Sequence, residues 1–206
     1  MNAKTNSSYH HGNLKEELIS ESLKMVESGG IASITLRELT NRLGTSRTAL
    51  YRHFVSKEEL LQEVIQAGFE KLDTYVFSTL DSDLDLTLKL HDVGKAYIDF
   101  AIKNPNLYRM IFGHELKEQR EENCDINERE DAPGFHKLVD IIIDAQNANI
   151  LKKDDAFMQA TVMWSMLHGL SNLLIDGHVH IVDNIDTLFE LSFKTLISGI
   201  ALDLSE

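Results

Sequence analysis

The chain has 206 residues, 43% of them hydrophobic, and a formal charge of −13, which is enough apolar mass for one large domain or a small one beside a larger one. Two prolines and 11 glycines favour long helices over many short strands, and a single cysteine, Cys124, excludes an internal disulfide framework. No apolar run is long enough for a membrane span, and the polar N-terminus MNAKTNSSYHHGNLKEEL lacks a signal-peptide core, so a soluble cytoplasmic protein is expected.

The charge is unevenly placed. Residues 1–64 hold Lys4, Lys15, Lys24, Arg37, Arg42, Arg47, Arg52 and Lys57 against eight glutamates. The whole of the −13 therefore falls on residues 65–206. Such asymmetry implies two regions with different tasks, of which only the first is suited to approach a polyanion.

Apolar residues recur at spacings of three and four almost throughout, so the fold class expected is all-α. The spacing predicts a first helix over 13–27, with Leu14, Leu18, Leu23 and Val26 inward, stopped by Gly29 and Gly30. Thr35 followed by Glu38 is a capping box and opens a short helix carrying Leu36, Leu39 and Leu43. Gly44 and Thr45 break it, and Ser46 is placed to cap a third helix. Ser56 and Glu59 repeat the capping box and open a long fourth helix with Leu60, Leu61, Val64, Ile65, Phe69, Leu72 and Val76.

Further helices are expected over 84–103 and from Pro105, with Asn104 as cap and the proline at the first helical position. Residues 115–132 are charged and poorly patterned, and read as a helix end plus a loop. Helical spacing resumes near Gly134 and runs to about Leu151. Asp154 or Asp155 caps an apolar helix ending near Gly177, and Asp183 or Asn184 precedes a last helix reaching about Leu202.

The stretch GTSRTALYRHF, residues 44–54, is locally basic and poor in core candidates. Helix, tight glycine turn and helix over 35–54 have the shape of a helix-turn-helix. A recognition helix packs along one stripe, here Leu50 and Phe54, and its other faces need donors. Arg47 offers a fork to guanine edges and Thr48 a hydroxyl and methyl to bases. Tyr51, Arg52, His53 and Lys57 lie at phosphate-reaching positions, while Thr35 and Ser46 open the two helices of this DNA-facing set.

Residues 9–66, YHHGNLKEELISESLKMVESGGIASITLRELTNRLGTSRTALYRHFVSKEELLQEVI, resemble the DNA-binding head of TetR-family transcriptional regulators. The shared features are the length of the first helix, the entry from Gly30 to Thr35, the G-T-S turn, L-Y-x-H-F and S-K-E-x-L. By this resemblance Arg37 matches a position that reaches base edges from the second helix. Arg47, Thr48 and Tyr51 match the main DNA-facing positions of the third, and Lys57 matches a phosphate-binding lysine. MWSMLHGLSNLLIDG, residues 163–177, is similar to a C-terminal domain class with a Trp-His-Gly signature, here Trp164, His168 and Gly169. PNLYRMIFGHEL, residues 105–116, is similar to a segment common in that class.

The resemblance implies about nine helices, with a helix-turn-helix head over 1–56 and a ligand-binding and dimerisation body over 57–206. It implies a homodimer whose last two helices form a four-helix bundle with the partner's, through Met158, Val162, Leu167, Leu170, Leu174, Leu188, Leu191, Leu196 and Ile200; the same stripes would also serve a subunit's own core. It further implies a repressor on an inverted-repeat operator, released by a small-molecule effector. Tyr97, Phe100, Tyr108, Met110, Trp164 and His168 are the candidate effector-lining residues, a set of aromatic and polar groups of the kind pockets use. Gly169 is expected to permit another helix to approach closely.

No cofactor and no metal site is expected. His114, His136, His168, His178 and His180 are scattered, and no dense cysteine–histidine cluster occurs. No Ser/His/Asp order or glycine-rich phosphate loop supports catalysis. A helical carrier or enzyme would need no exposed Arg37, Arg47, Tyr51 and Lys57. An interaction module using the helix-turn-helix as scaffold would tolerate Arg47→Ala.

Overall fold

The computed structural model describes residues 13–78, 80, 85–113, 133–179 and 184–200. Nine α-helices occur among them: α1 (Leu14–Gly29), α2 (Leu36–Arg42), α3 (Arg47–Leu50), α4 (Lys57–Phe77), α5 (Leu86–Lys103), α6 (Pro105–Phe112), α7 (Pro133–Asn147), α8 (Ala156–Ile175) and α9 (Ile185–Ile200). The stretch 115–132, Cys124 and His114 lie outside the described residues.

Local chemistry sets the starts. Thr35, Ser46, Ser56 and Asp155 each accept a hydrogen bond from the N–H three residues on, at 3.1 to 3.2 Å. Each such cap contributes about 1 kcal/mol. Glu59 reaches back past the Ser56 cap to accept from the Val55 N–H at the head of α4. Gly30 and Gly44 adopt φ of 69° and 61°, left-handed values that a side chain would disfavour, and so turn the chain after α1 and α2. Asn104 differs from expectation. Pro105 opens α6, but the Asn104 amide donates back to the Phe100 carbonyl at 3.0 Å and finishes α5 instead. The seventh helix stops at Asn147 rather than running on to Leu151, because Asn149 takes a left-handed φ of 57°.

One apolar core runs through the molecule. In α1 the buried stripe is Leu18, Ser22, Met25 and Val26, with Leu14 and Leu23 only partly covered. That stripe meets α4 and α6. Lys15 pairs with Glu63 at 2.5 Å, Lys71 with Glu27, and the Asn106 amide donates to the Glu27 carbonyl at 3.2 Å. Gly68 marks the tightest crossing of α4 over α6. On the far side, Tyr75, Asp99 and Lys103 join α4 to α5, with Asp99 accepting at 2.6 Å from both partners. The start of α7 is capped from outside, as Asp73 of α4 accepts from the Gly134 N–H at 2.8 Å.

The last helix rests on α5 through Phe189 and Phe193, both buried. Their rings meet His91, with centroids 5.2 Å away in each case. Along α8 the residues Met158, Val162, Ser165, Gly169 and Leu173 are exposed at spacings of four and three, so one continuous face is uncovered. Leu191 of α9 is 62% exposed, whereas Leu167 and Leu170 are buried in the subunit's own core. The expected dimer stripe thus divides between an inner and an outer face.

Candidate nucleic-acid interface and effector site

Helices α2 and α3 are held from beneath by Ile34, Leu39, Leu50 and Phe54, each no more than 1% exposed. Everything polar in the DNA-facing set is pushed outward. Thr35, Arg37, Ser46, Arg47, Thr48, Tyr51, Arg52 and His53 are exposed, and Lys57 is half-buried at the head of α4. The Thr35 and Ser46 hydroxyl oxygens already accept their capping bonds, which leaves each an O–H to donate.

The third helix is shorter than its spacing suggests. Regular helix ends at Leu50, and Tyr51, Arg52 and His53 form a tight turn. The N–H groups of Arg52 and His53 bond three residues back, to Ala49 and Leu50, at 3.2 and 2.9 Å. This tightening swings Phe54 into the core while Tyr51 keeps half its surface exposed.

The described cations fall into two groups. Lys15, Lys24, Arg42, Lys71, Lys95, Lys103 and Arg109 are all paired with carboxylates. Arg37, Arg47, Arg52 and Lys57 form no ion pair among the described residues. Lys137, Lys152, Lys153 and Lys194 of the body form no ion pair among the described residues either, so what sets the head apart is placement: four such cations between positions 37 and 57, three of them exposed, make a local anion-attracting surface.

The body brings four of the six effector candidates together. Trp164 Nε1–H donates to Tyr97 Oη at 3.1 Å, Tyr97 and Tyr108 share a hydrogen bond of 3.0 Å, and Tyr108 Oη stands 2.7 Å from His168 Nδ1. Burial pushes both tyrosine hydroxyls far above their ordinary pKa and pulls the His168 imidazole below its own, so all three are neutral near pH 7. Phe100 and Met110 do not join them. The Phe100 ring packs on Tyr75 at 5.5 Å, and Met110 lies at Gly68, so both fill the interface with α4. Phe112 joins the cluster from outside the expected set. Its one signal in the sequence is its place four residues after Tyr108, on the same helix face. Its ring stands 4.8 Å from both Tyr108 and His168.

Gly169 lies on the exposed face of α8, and no atom of the chain would come within 4 Å of a Cβ there. Among the described residues no helix approaches it, so the space above it is open. Among the described residues no group of three His, Cys, Asp or Glu side chains is placed to hold a metal ion. No helix among them is long and apolar enough to cross a membrane.

Comparison with known proteins gives this arrangement a family. Residues 18–64 match the family described as bacterial regulatory proteins, tetR family, and residues 90–196 match the tetracyclin repressor-like C-terminal domain. The nucleoid occlusion factor SlmA of Vibrio campbellii (strain ATCC BAA-1116) is 34% identical over 110 residues, 53% of this chain and 56% of that protein. The chain thus spans about half the length of the curated relatives it matches. Among solved structures, a protein of unknown function from Rhodococcus sp. RHA1 superposes with a TM-score of 0.75 at 22% identity, covering 95% of this chain and 100% of that one. A TetR variant from Acinetobacter baumannii AYE, in complex with minocycline, superposes with a TM-score of 0.62 at 19% identity, covering 88% and 93%. The chain belongs to the TetR family of bacterial regulatory proteins, and its described residues are built of helices.

Proposed function

We propose that the protein is a cytoplasmic homodimeric repressor that holds an inverted-repeat operator and is released by a small-molecule effector, without a cofactor. The observation that carries the DNA-reading part is the grouping of exposed Arg37, Arg47 and Arg52 with half-buried Lys57 on α2, α3 and the head of α4, none of them in an ion pair among the described residues. In this reading residues 1–56 are the head and 57–206 the effector and dimer body. Arg37, Arg47 and Thr48 meet base edges, while Tyr51, Arg52, His53 and Lys57 meet phosphates, with Thr35 and Ser46 donating at the helix starts. The uncovered faces of α8 and α9 meet the partner subunit, placing two α3 helices about one DNA turn apart.

The effector site comprises Tyr97, Tyr108, Phe112, Trp164 and His168, in a body of the Trp-His-Gly class. Release follows if the effector prefers a state whose head spacing no longer fits the operator. The packing supports such a link. Phe112 of α6 touches Phe69 of α4 with ring centroids 5.4 Å apart, and Asn106 of the same helix bonds the end of α1.

The test is in-vitro selection from a random DNA pool at about 150 mM salt, where non-specific phosphate binding is weakened. Enrichment of an inverted repeat, lost in Arg47→Ala, supports the reading. No enrichment, with Arg47→Ala behaving as the parent, sinks it. The name of the SlmA relatives favours a second reading, a factor acting at the nucleoid. Genome-wide occupancy separates the two, since a dedicated repressor yields few promoter peaks and a nucleoid factor many dispersed ones.

A further inference from the structure

The cluster in the body has a polarity that restricts its ligand. An indole N–H only donates, so Tyr97 Oη accepts from Trp164 at 3.1 Å. Either tyrosine can donate in their 3.0 Å bond; the order in which each hydroxyl both accepts and donates sends the Tyr97 proton to Tyr108 Oη and the Tyr108 proton to His168 Nδ1 at 2.7 Å. Tyr97 Oη also lies 3.3 Å from the same nitrogen. This order makes Nδ1 an acceptor and places the single imidazole proton on Nε2, a tautomer assigned by its partners. Among the described residues no hydrogen bond reaches Nε2.

The site also has a floor and a rim. Tyr97 and Tyr108 are buried, whereas Phe112, Phe135, Trp164 and His168, from the end of α6, the start of α7 and the middle of α8, are partly exposed. Phe135 meets Trp164 at 6.0 Å and 72°, and Phe112 meets His168 at 4.8 Å and 73°. Among the described residues no carboxylate, lysine or arginine hydrogen-bonds or pairs with any of these six.

Resting on the reading of this cluster as the effector site, we propose that it takes an uncharged planar aromatic compound carrying a hydrogen-bond acceptor, which receives the His168 Nε2–H while the ring plane lies among Phe112, Phe135 and Trp164. A charged ligand has no counter-charge here. An anion would have to protonate His168, and a proton on Nδ1 would orphan the Tyr108 hydroxyl that now donates to it. A cation needs several ring faces turned toward one point, whereas Phe135 meets Trp164 and Phe112 meets His168 edge to face, and Phe112 and His168 are tilted on Trp164 by 49° and 41°.

The test uses the full chain near neutral pH and three probes of one shape: quinoline, N-methylquinolinium and 2-naphthoate, titrated by calorimetry. Quinoline is expected to bind about tenfold tighter than either charged probe, and His168→Phe to weaken it by a similar factor. Nitrogen NMR of the wild-type imidazole guards against a variant that fails to fold: quinoline is expected to shift Nε2 much more than Nδ1. Equal or tighter binding of either charged probe overturns the ligand class while leaving an effector site in place. Quinoline binding with Nε2 unshifted overturns the role of His168. Binding of none of the three removes the effector-site reading and this inference with it.

Discussion

Gly68 of α4 and Ile111 of α6 meet so closely that a Cβ at position 68 would stand 2.6 Å from Ile111 Cγ2, with Leu107 and Met110 each at 3.2 Å. The helix that leaves the head therefore crosses the helix that carries Tyr108 and Phe112 with no side chain of its own at the crossing point. Gly68→Ala forces the two apart. Overpacking of this kind costs about 1–3 kcal/mol. We expect a lower urea midpoint and a changed operator affinity in the same variant. An unchanged midpoint would show that this crossing is soft.

Arg47 and Arg42 lie close in sequence and should behave oppositely. Arg42 is held by Glu38 at 2.9 Å and Glu21 at 3.3 Å, while Arg47 has no such partner among the described residues. Arg47→Ala is expected to cost about 1–3 kcal/mol of operator affinity and relax specificity at one base position. Arg52→Ala should weaken all sequences alike and lower the salt slope by about one. Arg42→Ala should leave affinity nearly unchanged. Fluorescence anisotropy across a salt series separates the three.

His91 bonds Asp92 at 3.0 Å and Glu190 of α9 at 2.8 Å. Burial by itself would lower its pKa, but the two carboxylates outweigh that and hold it above the ordinary value of 6.5. A base raised on folding stabilises fully below its unfolded pKa and loses that contribution as the pH climbs past the raised one. The difference in unfolding free energy between the wild type and His91→Gln should therefore be largest in mild acid. It should shrink toward higher pH by no more than about 1 kcal/mol, as expected of a half-exposed pair. A difference that does not vary with pH would mean that His91 acts only as a ring against Phe189 and Phe193.

Asp73 poses the reverse case. Burial lifts its carboxyl above the ordinary range, against the pull of the Gly134 N–H that it accepts. An acid raised on folding destabilises increasingly as pH rises above its unfolded value. Asp73→Asn keeps an oxygen for Gly134 and sheds that charge, so at neutral pH it should match or slightly exceed the wild type in thermal stability. Asp73→Ala leaves the start of α7 uncapped and should cost about 1 kcal/mol. If Asn proves as damaging as Ala, the charge itself matters.

On the outer face of α8, Val162 is 51% exposed and Met158 59%. If the partner covers this face, Val162→Glu buries an unpaired carboxylate at the interface and should yield monomers in sedimentation velocity. A dimer unaffected by the change would put the contact elsewhere.

Helix starts were legible because a hydroxyl or carboxylate three residues ahead of an N–H is a local signal, and Thr35, Ser46, Ser56 and Asp155 all act on it. The meeting of Tyr97, Tyr108, Trp164 and His168 was legible only as a set of aromatic and polar residues on inward faces. Spacing reveals that a face is covered but not by which neighbour, so Phe100 and Met110 share a pattern with residues they do not join. The brevity of α3 was hidden for a related reason. Its last turn is tightened by the demand of Phe54 for the core, a tertiary constraint with no mark in the local pattern.

The separation of charge along the chain governs how it meets a duplex. Arg37, Arg47, Arg52 and Lys57 are grouped within the first 64 residues, which carry no net charge, while residues 65–206 carry the whole of the −13. In the field of DNA such a molecule feels a torque as well as a pull: an approach head first is drawn in, and an approach body first is turned away. Fewer collisions end in unproductive orientations. Added salt screens the repulsion of the body along with the attraction of the head, so the association rate should fall less steeply with ionic strength than for a uniformly basic reader of the same site.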